Sequence, residues 1–166
     1  MDIFEFAMEK EQHAEKLYRQ LADQADHVGF KSILTMLADE EAKHYLTVQQ
    51  MKAKTPVKLT KTPVLANAKQ VFQKMAAGAE KFRFDASEAD LYRKAAEIEK
   101  QSKDYYLEKA EEVDNADQKG LFKQLAAEED KHLMLVQSIG DFVARPETYL
   151  EDAEFSHFDD YADGEF

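Results

Sequence analysis

Two stretches of the chain, "LADEEAKH" at 37–44 and "LAAEEDKH" at 125–132, agree at six of eight positions. Each sets a Glu three residues before a His, as Glu41/His44 and Glu129/His132. Residues three apart on a helix share a face, so each stretch offers one carboxylate and one imidazole in the same direction. Oxygen and imidazole donors in that arrangement suit a divalent metal such as iron or manganese. The register extends further. Subtracting 88 from the second half places Glu99 on Glu11, Tyr106 on Tyr18 and Leu125 on Leu37. The chain therefore writes one unit twice, and each copy adds a lone Glu with a Tyr seven residues later.

The periodicity predicts which face these residues occupy. Steps of three and four give an apolar seam of Phe4, Ala7, Glu11, Ala14, Tyr18, Leu21 and Ala25. A second seam runs Phe30, Leu34, Leu37, Glu41, His44, Val48, Met51, and a fourth runs Phe122, Leu125, Glu129, His132, Val136, Ile139. The third reads Tyr92, Ala95, Glu99, Ser102, Tyr106, then either Lys109 or Ala110, then Val113. In the first, second and fourth seams only Glu11, Glu41, His44, Glu129 and His132 carry ionisable acid or imidazole groups, and Glu99 holds the matching place in the third. Counting back to the hairpin turns puts Glu11 and Glu41 both ~21–23 Å from the first turn, at the 1.5 Å helical rise. Glu99 and Glu129 stand likewise to the second turn, so all six side chains are expected in one layer near mid-bundle.

Four buried carboxylates in one layer repel each other and lose their hydration. Two divalent cations supply the +4 that four carboxylates need, and two neutral imidazoles complete the set. A single Glu-x-x-His is a weak signal, because both residues are common on wet helix faces. Two copies, each paired with a lone seam Glu at the same height, are far more specific.

These side chains need long helices to carry them. The 166 residues include 5 Gly and 3 Pro, with 44% hydrophobic residues, which favours one all-α domain. Four long helical patterns lie near 2–25, 28–52, 86–113 and 116–140. Tight turns at "DHVG" and "DNADQ" make two antiparallel hairpins. A long crossover, about 53–85, joins them. It holds Thr-Pro at 55–56 and 62–63 and the shorter helical pattern "VLANAKQVFQKMAAGAEKF". Asp85 with Glu88 forms a helix-start pair. Residues 1–140 read as the bundle and 141–166 as an acidic, aromatic tail with little helical period.

Charge and composition exclude several classes. The net charge is −12, and from Glu147 onward there are eight acidic residues and no Lys or Arg. No basic face is available for nucleic acid. No apolar run is long enough to span a membrane, and the N-terminus lacks the pattern of a secretory signal, so a cytoplasmic location is expected. No cysteine is present, which rules out thiolate ligands within this sequence.

Several residues admit bland readings. Asp39, Glu40, Lys43, Glu128 and Lys131 read as solvated, although Glu40 and Glu128 stand where they could orient an imidazole. His13, His27 and His157 fall off the seams and read as surface. Tyr18 and Tyr106 are open between two roles: ordinary core aromatics, or groups that hydrogen-bond a ligand carboxylate or pass an electron.

With Glu-x6-Tyr on the first and third helices and Glu-x-x-His on the second and fourth, the chain resembles the ferritin-like di-iron carboxylate superfamily. Its size and direct internal repeat are similar to the rubrerythrin-type domain, over residues 2–140. The resemblance implies a ferritin-like four-helix bundle holding two iron ions, with manganese or a mixed pair as alternatives. It implies that Glu41 and Glu129 bridge the metals, that Glu11 and His44 complete one, and that Glu99 and His132 complete the other. It implies an oxidoreductase that reduces hydrogen peroxide or dioxygen, working as a homodimer or larger homo-oligomer. A ferroxidase that handles Fe²⁺ and a non-catalytic metal-binding bundle are the alternative readings. Two features depart from the family pattern. Rubrerythrins carry a Cys-ligated iron in a C-terminal rubredoxin domain, so here electrons are expected from a separate donor protein. They often carry a further ligand carboxylate one turn along the third helix, where this chain has Ser102.

Overall fold

The computed structural model of the chain describes residues 1–78 and 84–147. Among them are five helices and no strand: α1 Ile3–Gln24, α2 Val28–Lys52, α3 Val64–Ala77, α4 Ala86–Glu112 and α5 Ala116–Ala144. Helices α1 and α2 form one hairpin, and α4 and α5 the other. The hairpins meet where α1 packs on α4 and α2 on α5. This is the expected ferritin-like bundle, with α3 as the short helix of the crossover.

Local chemistry explains the helix ends. At the start of α1, Asp2 Oδ1 accepts from the Glu5 amide at 2.8 Å, and Glu5 Oε2 accepts from the Asp2 amide at 3.3 Å. Glu88 reaches back in the same way to the Asp85 amide before α4. Asn115 Oδ1 accepts from the Gln118 amide at 3.0 Å and opens α5. His27 is half-buried, and its Nδ1 accepts from the Gly29 amide at the start of α2. It therefore caps a helix, where the sequence suggested a surface residue. His13 is exposed as expected, and His157 lies outside the described residues.

The core falls into two apolar clusters. One gathers the end of α1 (Tyr18, Leu21), the start of α2 (Phe30, Leu34), α3 (Leu65, Phe72), the start of α4 (Tyr92, Ala95) and the end of α5 (Leu135, Phe142). The other gathers Ala7, Val48, Met51, Leu59, Tyr106, Ala110, Phe122 and Leu125. The end of α1 thus sits beside the start of α4, so these two helices run antiparallel and the two hairpin turns lie at opposite ends. The crossover accordingly runs the length of the bundle, from Met51 in one cluster to Tyr92 in the other. It packs on both α2 and α5 on the way.

The structure corrects the reading in three further places. Glu40, Glu128 and Lys131 are buried, not solvated, whereas Asp39 and Lys43 are exposed as expected. The period of a single helix cannot register cover supplied by other parts of the chain. Lys131 Nζ lies 3.4 Å from Glu128 Oε1, so the two charges compensate each other. Helix α5 runs to Ala144, beyond the expected boundary at 140, because Phe142 and Val143 are core residues. The helix of the crossover ends at Ala77, where the Gly78 amide closes on the Lys74 carbonyl. In the third seam Ala110 is the buried residue and Lys109 is half-buried.

Phe142 is fully buried and meets Phe30 edge-on at 5.3 Å and Phe72 at 6.0 Å, so it ties α5 to α2 and α3. Phe142→Ala is expected to lower the unfolding free energy by about 3–5 kcal/mol. Urea denaturation of the metal-free protein measures this. A loss under about 1 kcal/mol, the range of surface substitutions, would place α5's last turn outside the core.

Candidate metal centre

Between the two apolar clusters lies a polar layer. Glu11 and Glu99 come from α1 and α4, Glu41 and His44 from α2, and Glu129 and His132 from α5. All six are at most 2% exposed. Their donor atoms fall into two overlapping groups, Glu11–Glu41–His44–Glu129 and Glu41–Glu99–Glu129–His132, each with its atoms within 4.8 Å of one another. Glu41 and Glu129 belong to both groups, so they are the residues that can be shared between two ions.

The imidazoles cross between hairpins. His44 Nδ1 lies 2.9 Å from Glu129 Oε1, and His132 Nδ1 lies 2.9 Å from Glu41 Oε1. Their rings stack at 5.5 Å with 10° between planes. Nδ1 is thus the nitrogen that faces the carboxylates in both residues. The tyrosines cross as well. Tyr18 on α1 donates to Glu99 Oε1 on α4 at 2.5 Å, and Tyr106 on α4 donates to Glu11 Oε1 on α1 at 2.5 Å. Seven residues is about 10 Å of helix, too far for a Tyr to reach the Glu of its own seam easily. A helical side chain leans toward its own N-terminus, which aims each Tyr back at the layer and onto the antiparallel neighbour. Both tyrosines are core residues, and both hydrogen-bond a carboxylate of the layer.

The electrostatics separate the four carboxyls into two kinds. Burial pushes Glu41 up, and repulsion from Glu129, Glu99 and Glu11 adds to it, so its pKa stands well above the ordinary value. Glu129 is raised in the same way, by burial and by Glu11 and Glu99. For Glu11, burial is outweighed by hydrogen bonding with Glu41 and the positive charge of His44, which hold it at about 2. Glu99 is held at about 2 as well, its burial outweighed by Glu129 and His132. Burial disfavours charge on the imidazoles, but Glu129 and Glu11 lift His44, and Glu129 and Glu99 lift His132. Without metal the shifts therefore favour protons on Glu41 and Glu129, and positive charge on the two imidazoles beside Glu11 and Glu99.

The donors fit a pair of divalent ions. Glu11 Oε2, Glu41 Oε2 and Glu129 Oε2 are buried with no hydrogen-bond partner among the described residues. Such atoms are costly unless something binds them. Four carboxylates with two neutral imidazoles carry the charge that two M²⁺ ions balance, and these hard and borderline donors suit iron or manganese.

The family model for rubrerythrin matches residues 2–140. The chain belongs to the rubrerythrin family. Neither the curated proteins nor the solved structures give a match. Membership in the rubrerythrin family implies a di-iron type of site, the layer is a cluster that could bind metal, and the matched span includes all six clustered residues and both tyrosines. Among the described residues no helix is long and apolar enough to cross a membrane.

Sequence reasoning missed the division of labour among the carboxyls, because the seam treats Glu11 and Glu41 alike. It also read Glu128 as solvated, whereas this residue is fully buried one residue before Glu129. Its place one turn before His132 was the available signal.

A divalent ion would compete with protons at the four groups whose pKa is raised, Glu41, Glu129, His44 and His132. Binding of two divalent ions near pH 6–7 should release about four protons per chain. Titration calorimetry with Mn²⁺ in buffers of different protonation enthalpy reads this number. A value near zero would mean that the layer is already ionised. The sign for stability follows. Glu41, Glu129, His44 and His132 are raised, so their stabilisation of the metal-free fold is lost as pH rises, from about 4.5 for Glu and 6.5 for His upward. The metal-free Tm should fall between pH 5 and 8, more shallowly in Glu41→Gln/Glu129→Gln, and added metal should raise Tm most at the alkaline end.

Proposed function

We propose that this chain is a di-iron oxidoreductase of the rubrerythrin type, which reduces hydrogen peroxide or dioxygen with electrons from a separate donor protein. The supporting observation is the pair of overlapping four-residue groups that share Glu41 and Glu129. In this reading Glu41 and Glu129 would be shared by the two ions, Glu11 and His44 would hold one, and Glu99 and His132 would hold the other. Bound there, a pair of iron ions supplies the two electrons that the oxidant takes up.

The protein's own residues do the rest. Tyr18 and Tyr106 hold one oxygen of Glu99 and of Glu11, which fixes how each carboxylate presents the other. The apolar clusters above and below exclude bulk water and strengthen every charge interaction in the layer. Glu41 and Glu129, whose pKa values burial raises, would release protons on loading and hold the ions as shared carboxylates. The 166 residues hold no cysteine, so the reading takes its electrons from outside them.

Anaerobic Fe²⁺ titration with metal analysis should saturate at about two ions per chain, one for each donor group. Glu41→Ala and Glu129→Ala should each impair both ions, because their carboxylates are shared. Stopped-flow mixing of the reduced protein should show a reaction with peroxide much faster than that with dioxygen. Uptake of many Fe²⁺ per chain with mineral growth would assign it to ferroxidase and iron handling instead. No reaction with either oxidant would leave a metal-binding bundle without turnover.

A further inference from the structure

The two halves of the layer are built alike, but their routes to the surface differ. Tyr106 does not stand alone. Its ring meets Tyr105 at 6.0 Å, nearly edge-on, and Phe122 at 5.9 Å. Tyr105 is half-buried and meets the ring of Phe6 at 5.0 Å, and Phe6 is 42% exposed. A continuous path of aromatic contacts therefore leads from solvent on the α1/α4 face to the Tyr106 hydroxyl and Glu11. On the other side, the residue that matches Tyr105 by the 88-residue repeat is Leu17, and the one that matches Phe6 is Lys94. Among the described residues no second aromatic ring stands against Tyr18.

We propose that Tyr105 is the electron port of the centre: electrons enter the metal layer on the Tyr106 side, through the Tyr105 ring, and not on the Tyr18 side. This rests on the reading that the layer exchanges electrons. The surroundings assign each ring its part. The Tyr105 hydroxyl donates to the Ile3 carbonyl at 2.8 Å, which is no base for its proton. Lys10 Nζ and Lys109 Nζ lie 5.9 and 5.4 Å from its ring centre, and both disfavour positive charge there. Tyr105 is thus a bridge that stays reduced. The Tyr106 hydroxyl is hydrogen-bonded to Glu11 Oε1, so its ring is the last on the path before the layer and the one that exchanges an electron with it. A one-electron carrier at the surface then passes one electron inward through the Tyr105 ring. Each passage moves one electron inward with no net proton. Two passages, with two protons from solvent, convert one hydrogen peroxide to two waters.

The test uses the metal-free 166-residue chain and a flash-generated one-electron oxidant, photo-excited ruthenium tris-bipyridine with persulfate as the electron acceptor. Tyrosyl radicals are followed by transient absorption and freeze-quench EPR, with thermal melts to confirm folding. A buried radical should form that is lost in Tyr106→Phe and kept in Tyr18→Phe. Its formation should slow in Tyr105→Leu, which carries the residue of the matching position 17, and recover in Tyr105→Phe, which keeps the ring but loses the bond to Ile3. Equal loss in Tyr18→Phe, no effect of Tyr105→Leu, or failure of Tyr105→Phe to recover would each overturn the proposal. If the relay is present but the iron-loaded protein reacts with neither oxidant, the proposed function fails and the electron path stands.

Discussion

Everything in this protein depends on keeping four carboxylates buried in one layer between two apolar clusters. A lone buried carboxylate is prohibitive, and four together are worse. The layer persists only if something positive lies among them, either protons or metal. That requirement explains the architecture. Each hairpin must deliver its Glu and its Glu-x-x-His at one height, which equal counts from the turn achieve. The hairpins must then meet head to tail, so that the imidazole of one faces the carboxylate of the other at 2.9 Å.

The head-to-tail arrangement also explains the tyrosines. Tyr18 belongs to one apolar cluster and Tyr106 to the other. Each reaches the layer from its own side and holds the carboxylate of the opposite hairpin. The layer is clamped from above and below by the same residue type, used twice. Each phenol is pushed well above its ordinary pKa, by burial and by the carboxylates it faces, so it remains a donor at neutral pH.

Much of this was legible in the chain. The seams named the six clustered side chains because an ionisable residue in an apolar stripe stands out against its period, and counting along two helices gave their common height. The hairpins followed from two short turns. Other features depend on contacts between distant segments and leave no local period. Glu128 and Lys131 look solvated on α5 alone, yet the folded chain buries them. The last turn of α5 was missed because "DFVA" is short and adjoins an acidic stretch, although Phe142 finds Phe30 and Phe72 in space. The pairing of each Tyr with the opposite hairpin needs the antiparallel packing of α1 on α4, which no spacing within one helix records.

Ser102 shows why the donor set stops at six. It is buried one turn beyond Glu99, on the seam and beside the layer. Its counterpart in the first half is Ala14, also buried. Both halves therefore put a small side chain where a longer one could reach inward. A carboxylate at 102 would bring a fifth negative charge to a layer that two divalent ions already neutralise, and burial would make that excess costly. With Ser102 and Ala14, two divalent ions would balance the four carboxylates, and without them the raised pKa values of Glu41 and Glu129 favour protons in their place. Exchange between the two states then passes charge to solvent as protons without leaving the core charged, so one backbone arrangement can serve both.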